Sequence, residues 1–209
     1  PAALTRGGAA MTVQAAPVDT GVSQTGAQPF SASFRQDDPC AAPDNPIVAE
    51  NCLPGTSDWI VKNDLGDIEG FAYPPSVNKG ASVDFFVNTG APRFEIAIYR
   101  SGYYQGHGGR FIDAVELEGT EQPACDNDLY TTGLTSCSNW SASHSLTIPD
   151  DWTTGIYVAK LTRADTNGEA YMLFVVRDDD SGADILYQQS LFTYHAYNNF
   201  GGKSVYTFN

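Results

Sequence analysis

Basic side chains are scarce in this chain. Eleven Lys and Arg face 25 Asp and Glu, a net charge of −14 over 209 residues. That balance argues against a nucleic-acid partner, because phosphate-backbone binding is carried by clustered cations. Long apolar runs are also missing. No stretch approaches the ~20 consecutive apolar residues of a membrane-spanning helix. The HExxH and GxSxG signatures of zinc peptidases and α/β-hydrolases are absent, and no paired-carboxylate motif stands out. No signal-peptide pattern is visible, which we read as an N-terminus already processed. The four cysteines show no CxxC spacing, and none of the three histidines lies within five residues of one, which speaks against a zinc ribbon.

What is present is 42% apolar residues, enough for a sizeable core. The cysteines fall as two pairs twelve residues apart, Cys40 with Cys52 and Cys125 with Cys137. Four cysteines allow three connectivities; local pairing is preferred, and with it an oxidising, extracellular compartment. Asn139-Trp140-Ser141 is a glycosylation sequon, meaningful in a eukaryotic source.

The texture changes along the chain. Residues 1–38 are Ala-, Gly-, Thr-, Gln- and Ser-rich, without apolar period, and read as an extended or flexible arm. Residues 39–66 hold the first cysteine pair among several prolines and read as a disulfide-stapled loop. From about residue 67 to 177 the pattern alternates as in β-strands. Val83, Phe85 and Val87 point one way; Phe94, Ile96 and Ile98 repeat the pattern. Arg110–Glu118, His144–Ile148, Gly155–Thr162 and Glu169–Arg177 are further candidate strands, and Thr166-Asn167-Gly168 predicts a tight type I′ hairpin. No segment reads as a convincing helix. These features predict a mainly β fold, an antiparallel β-sandwich of immunoglobulin-like type. Residues 178–209 read as a hinge, Asp178-Asp179-Asp180-Ser181-Gly182, followed by the start of an incomplete α/β domain. The carboxylate run is read as solvated linker, with Ca²⁺ as its alternative occupant. In the second part, Ala183–Gln188 reads as a strand, either the opening strand of an α/β layer or the final strand of the sandwich.

Three places are candidates for chemistry or contact. Tyr99–Arg110 is rich in Gly and Tyr; Tyr103 and Tyr104 are expected to pack the sandwich against the segment that begins at residue 183, and His107 to be an exposed loop histidine. Trp152 reads as a core plug, and His144 as a strand-start residue without a function. The polar and aromatic cluster Tyr194, His195, Tyr197 and Asn198 follows the expected strand, at the end where α/β enzymes place ligands. A tyrosine phenolate is a hard oxygen ligand suited to Fe³⁺, and it ionises near neutral pH only beside a strong cation. Beyond this cluster, Val205, Tyr206 and Phe208 need an apolar surface, so residues 183–209 are expected to pack against further polypeptide, either a continuation or a second chain.

Four motifs occur in one order: Tyr99-Arg100-x-Gly102-Tyr103-Tyr104, Asp151-Trp152-x-x-Gly155-x-Tyr157, Phe174-Val175-Val176-Arg177-Asp178-Asp179, and Ala196-Tyr197-Asn198-Asn199-Phe200-Gly201-Gly202-Lys203-Ser204. Together they resemble proteins related to the large (beta) subunit of N,N-dimethylformamidase, over about residues 45–209. The resemblance implies an immunoglobulin-type sandwich followed by a glutamine amidotransferase-like α/β domain. It further implies an iron-dependent amidohydrolase whose mononuclear iron is held by two tyrosines and a glutamate. Tyr197 matches the first tyrosine ligand, with Tyr194, His195 and Asn198 as possible lining residues. The other two ligands would lie beyond Asn209, so this chain alone is not expected to hold the iron. Tyr194-His195 stands where Trp-Gln is usual, and Phe200 where Trp is usual, which leaves the substrate open. The alternative reading is a non-catalytic extracellular β-sandwich for binding or surface assembly, and oligomers remain open under both.

Overall fold

The computed structural model describes residues 38–128 and 130–206; the expected arm, apart from its last residue, lies outside them. The described chain is mainly β. Its strands are β1 (Ile68–Tyr73), β2 (Ser76–Asn78), β3 (Ser82–Thr89), β4 (Arg93–Ser101), β5 (Gly109–Glu118), β6 (Asp126–Asp128), β7 (Leu134–Ser136), β8 (His144–Thr147), β9 (Gly155–Arg163) and β10 (Glu169–Arg177). Two short helices, α1 (Pro46–Asn51) and α2 (Leu191–Tyr197), flank them.

Three sheets form. One runs β1-β3-β8 and is antiparallel; the second runs β2-β10-β9-β4-β5, antiparallel except that β2 adds parallel to β10; β6 and β7 make a separate hairpin. The alternation read from the sequence sets the registers. Val83, Phe85 and Val87 of β3 turn inward and meet Phe94, Ile96 and Ile98 of β4, Tyr157, Ala159 and Leu161 of β9, and Met172, Phe174 and Val176 of β10 in one core between the two larger sheets. Trp152 plugs its rim, stacked on Tyr157 with centroids 4.9 Å apart. Gly70 of β1 has no room for a side chain: a Cβ there would lie 2.6 Å from the carbonyl oxygen of Phe86 and 2.9 Å from Met172 Sδ of the facing sheet.

Several strands are apolar on both faces, and the outward faces are covered too. Ala97, Tyr99 and Val158, with Tyr171 and Leu173, form a second cluster on the outside of the large sheet, under Trp59. Residues 56–63 cross this face as a strap. Lys160 Nζ holds the strap by donating to the carbonyls of Asp58 (3.0 Å) and Ile60 (3.3 Å) and pairs with Glu169 Oε1 at 2.8 Å. Glu169 Oε2 in turn accepts the backbone N–H groups of Lys62 and Asn63. A lysine with its carboxylate partner therefore replaces the missing neighbour strand as hydrogen-bonding partner for this loop.

Four expectations need correction. Ala183–Gln188 is not a strand: its residues are exposed and pair with nothing in a ladder, since local β-propensity makes no strand without a partner edge. The β9–β10 connection is wider than a two-residue turn. Arg163 N donates to Gly168 O, leaving Ala164–Asn167 as the loop, and Asn167 alone takes a positive φ, 54°. Helices do occur. Asn45 caps α1 by accepting from Val48 N at 2.9 Å, with Pro46 at the first turn. Finally, Tyr103 and Tyr104 do not pack against the segment from residue 183. Tyr104 is fully buried against α1, and Tyr103 is exposed.

Both cysteine pairs are bridged locally, Cys40–Cys52 and Cys125–Cys137. The core account predicts that Leu161→Ala, at a fully buried position of β9, destabilises by about 2–5 kcal/mol in urea titration. A loss below about 1 kcal/mol would mean that the two sheets do not share this core.

Candidate functional site

Two constellations of reactive side chains stand out, and their environments differ. The first is buried. Arg100 leaves β4 at the end where α1 lies; its Nη1 donates to Tyr104 Oη at 2.9 Å, and its Nη2 to the carbonyl of Thr154 at 2.8 Å. Tyr104 Oη donates to Glu50 Oε1 at 2.7 Å, and Arg110 Nε of β5 donates to the same oxygen at 2.6 Å. Thr153 Oγ1 completes the second carboxylate oxygen at 3.4 Å.

Burial alone would raise the Glu50 pKa; the hydrogen bonds from Arg110 and Tyr104 and the fields of Arg110 and Arg100 outweigh it and hold the carboxyl below its ordinary value. Burial pushes the phenol of Tyr104 up, with the Glu50 carboxylate adding to it against Arg100. Tyr157 is pushed up further, chiefly by burial. Each polar group has a partner: Glu50 accepts from Arg110 and Tyr104, Arg100 donates to Tyr104 Oη and the Thr154 carbonyl, and Tyr157 Oη donates to the Thr153 carbonyl at 2.6 Å. The cluster clamps α1 to the end of the large sheet. Gly109 serves the same closure, since a Cβ there would lie 2.5 Å from Trp59 Cδ1, and so does Gly55 upstream, where a Cβ would lie 2.5 Å from Tyr104 Cβ. His107 is exposed, and its carbonyl accepts from Trp59 Nε1 at 3.1 Å.

The second constellation is the one that the sequence singles out. Tyr194, His195 and Tyr197 all lie on α2, with Asn198 at its C-terminus. Three-residue spacing puts Tyr194 and Tyr197 on one side of the helix, and His195 turns away from both. Tyr194 Oη accepts from Gln189 Nε2 at 2.8 Å. Tyr197 is 62% exposed, and its ring stacks on Tyr206 with centroids 4.4 Å apart. Asn198 accepts from Phe200 N at 2.9 Å, and its N–H donates to His195 O. α2 buries none of its residues.

Tyr197 is the single candidate ligand of the expected set, and among the described residues no three His, Cys, Asp or Glu side chains come together as a metal centre. At the acidic hinge, Asp178 pairs with Lys79 and Asp179 with Arg177.

The model of N,N-dimethylformamidase beta subunit-like proteins, C-terminal region, matches residues 95–209, from β4 through α2 to the end. That is over half of the chain. The chain belongs to the N,N-dimethylformamidase beta subunit-like family. The match includes the Tyr197 segment and leaves α1 and Glu50 outside. No curated protein matches the chain. Solved structures with a partial likeness include an alkylpurine DNA glycosylase from Pseudomonas fluorescens bound to DNA containing an abasic-site analogue, 17% identical, over 53% of this chain and 30% of that one at a TM-score of 0.28. Another is a lytic polysaccharide monooxygenase from Streptomyces lividans, 19% identical, over 48% of this chain and 56% of that one at a TM-score of 0.27. The chain thus spans under a third of the first and just over half of the second, and likeness at this level carries no argument about either fold or activity.

Sequence reasoning missed Glu50, whose partners Tyr104, Arg110 and Thr153 lie dozens of residues away, and gave Arg100 no structural role although its partner Tyr104 is only four residues on. The available signal was Asn45-Pro46, a helix start placing Glu50 one turn on. Because the folded pKa of Glu50 is depressed, its stabilisation is complete above the ordinary carboxylate range, near 4.5, and is lost as pH falls through the lower folded value. Glu50→Gln in this dimethylformamidase-like chain is therefore expected to lower the melting temperature at pH 7 and to flatten its decline below pH 4.5. Equal slopes in acid for both proteins would contradict this.

Proposed function

We propose that this chain is the β-sandwich portion, of immunoglobulin type, of a secreted iron-dependent amidohydrolase that cleaves a C–N bond. Residues from 178 onward open an α/β domain, glutamine amidotransferase-like in kind, whose remainder completes the site around Tyr197. The observation that carries this reading is the family match running through Tyr197, on a segment that presents the phenol outward. The surroundings fit a surface meant to be covered. Ile185 is 86% exposed, Leu186 93% and Phe192 88%, with Tyr187, Val205 and Tyr206 also exposed. Covering each such side chain is worth about 1.5–3 kcal/mol, so the segment has several kcal/mol to gain from a partner surface. The two disulfides, with no helix long and apolar enough to cross a membrane among the described residues, are compatible with secretion.

In this reading the chain contributes placement. It offers Tyr197 as one hard oxygen ligand and Tyr194, His195 and Asn198 as lining groups, and the remaining ligands come from further polypeptide. Metal analysis of the natural full-length product tests it. Stoichiometric iron with a visible tyrosinate-to-iron absorption, both lost in Tyr197→Phe, is the expected result. Iron-free protein, or iron and absorption unchanged in Tyr197→Phe, would leave the binding-module reading in its place.

A further inference from the structure

Phe200 joins residues 191–206 to the rest of the protein at a cluster separate from the main core. Phe200 packs its half-buried ring into a separate cluster of Phe71, Phe86, Trp140 and the bridged Cys125 and Cys137. This cluster stands on the outward face of the three-stranded sheet, where Phe71 and Phe86 stack with centroids 4.7 Å apart and Trp140 closes over Phe71 at 5.7 Å. Trp140 Nε1 donates to the carbonyl of Pro123 at 2.9 Å, which ties the indole to the irregular segment leading into the hairpin. Beside the ring, Asn127 Nδ2 of β6 donates to the carbonyl of Gly201 at 2.9 Å. Gly201 has φ +82°, and a Cβ on it would run into the side chain of Thr135 on β7. Only glycine fits that contact on both counts. The loop around this anchor is closed by Val205 N donating to Ala196 O at 3.1 Å.

We propose that the β6–β7 hairpin, held by Cys125–Cys137, is the seat that fixes the Tyr197 segment, with Phe200 as its anchor and Asn127 and Gly201 setting its register. The docking stands on contacts within this chain; its meaning for metal placement rests on the function proposed above. Three residues separate Tyr197 from Phe200, and an extended chain spans about 3.5 Å per residue. Anchoring Phe200 therefore confines the Tyr197 backbone to within roughly 10 Å of the seat. Phe200, Gly201 and Asn127 are positioning residues. They act by restricting where Tyr197 can be, and they touch no reacting atom. The bridge has a clear reason to be there. β6 and β7 are three residues each, β6 exposed throughout and β7 half-buried at Thr135 and Ser136, and so short a two-stranded ribbon does not persist without support. A cross-link next to both strands supplies it.

Hydrogen exchange by mass spectrometry on this chain tests the seat, comparing wild type with Phe200→Ala, Gly201→Ala and Phe200→Trp. Wild-type amides across 196–205 are expected to exchange more slowly than in a free peptide of the same sequence. They are expected to exchange about tenfold faster in Phe200→Ala and Gly201→Ala, with β4, β9 and β10 unchanged. Phe200→Trp, which refills the cluster with a larger ring, is expected to restore protection. Free-peptide exchange in the wild type, no change in either small-residue variant, or equal acceleration of β9 and β10 would each overturn the proposal. The experiment needs no metal. A protected segment in an iron-free full-length protein would remove the iron reading and leave the seat; an unprotected segment in an iron-loaded one would do the reverse.

Discussion

Strands that are apolar on both faces set the problem that the rest of this structure solves. β4 and β9 bury Phe94, Ile96, Ile98, Tyr157, Ala159 and Leu161 inward, yet they carry Ala97, Tyr99 and Val158 on the outside. A sheet with a solvated face can be left bare; one with an apolar outer face cannot. The chain covers both outer faces with segments that are not strands. Residues 56–63 lie over the large sheet, pinned by Lys160 and Glu169, and the disulfide hairpin with Trp140 and Phe200 lies over the small one. The cover of the small sheet contains the Cys125–Cys137 bridge, and the Cys40–Cys52 bridge lies just upstream of the strap.

The same logic explains the buried clamp at Glu50. The strap can lie correctly only if the chain enters it at the right place, and α1 fixes that entry by placing a carboxylate between Arg110 and Tyr104. Removing either partner of such a pair leaves an uncompensated buried charge, which costs more than the pair itself contributes.

What the sequence made readable follows from range. β3, β4, β8, β9 and β10 were evident because alternation is a local signal that the core enforces. β2, β6 and β7 were not, since three residues cannot display a period. Ala183–Gln188 has the composition of a strand and no ladder partner, and composition alone does not supply one. Tyr104 was recognised as a contact residue, but its partner is upstream at Glu50 rather than downstream, which no spacing reveals. At the candidate site the four residues Tyr194, His195, Tyr197 and Asn198 were legible as one cluster. Their helical setting and the anchor at Phe200 were not, because the anchor is defined by Phe71, Trp140 and a bridge far away in sequence.

The proposal that further polypeptide covers this segment rests on the family match, the exposed phenol of Tyr197 and the exposed apolar side chains between Ile185 and Tyr206. Hydroxyl-radical footprinting of the natural full-length protein, set beside this 209-residue chain, tests that claim most directly. Ile185, Leu186, Phe192 and Tyr206 should react freely in the chain alone and be protected in the full-length protein, while Tyr103 reacts in both. Equal reactivity of those four residues in the two proteins would contradict the account.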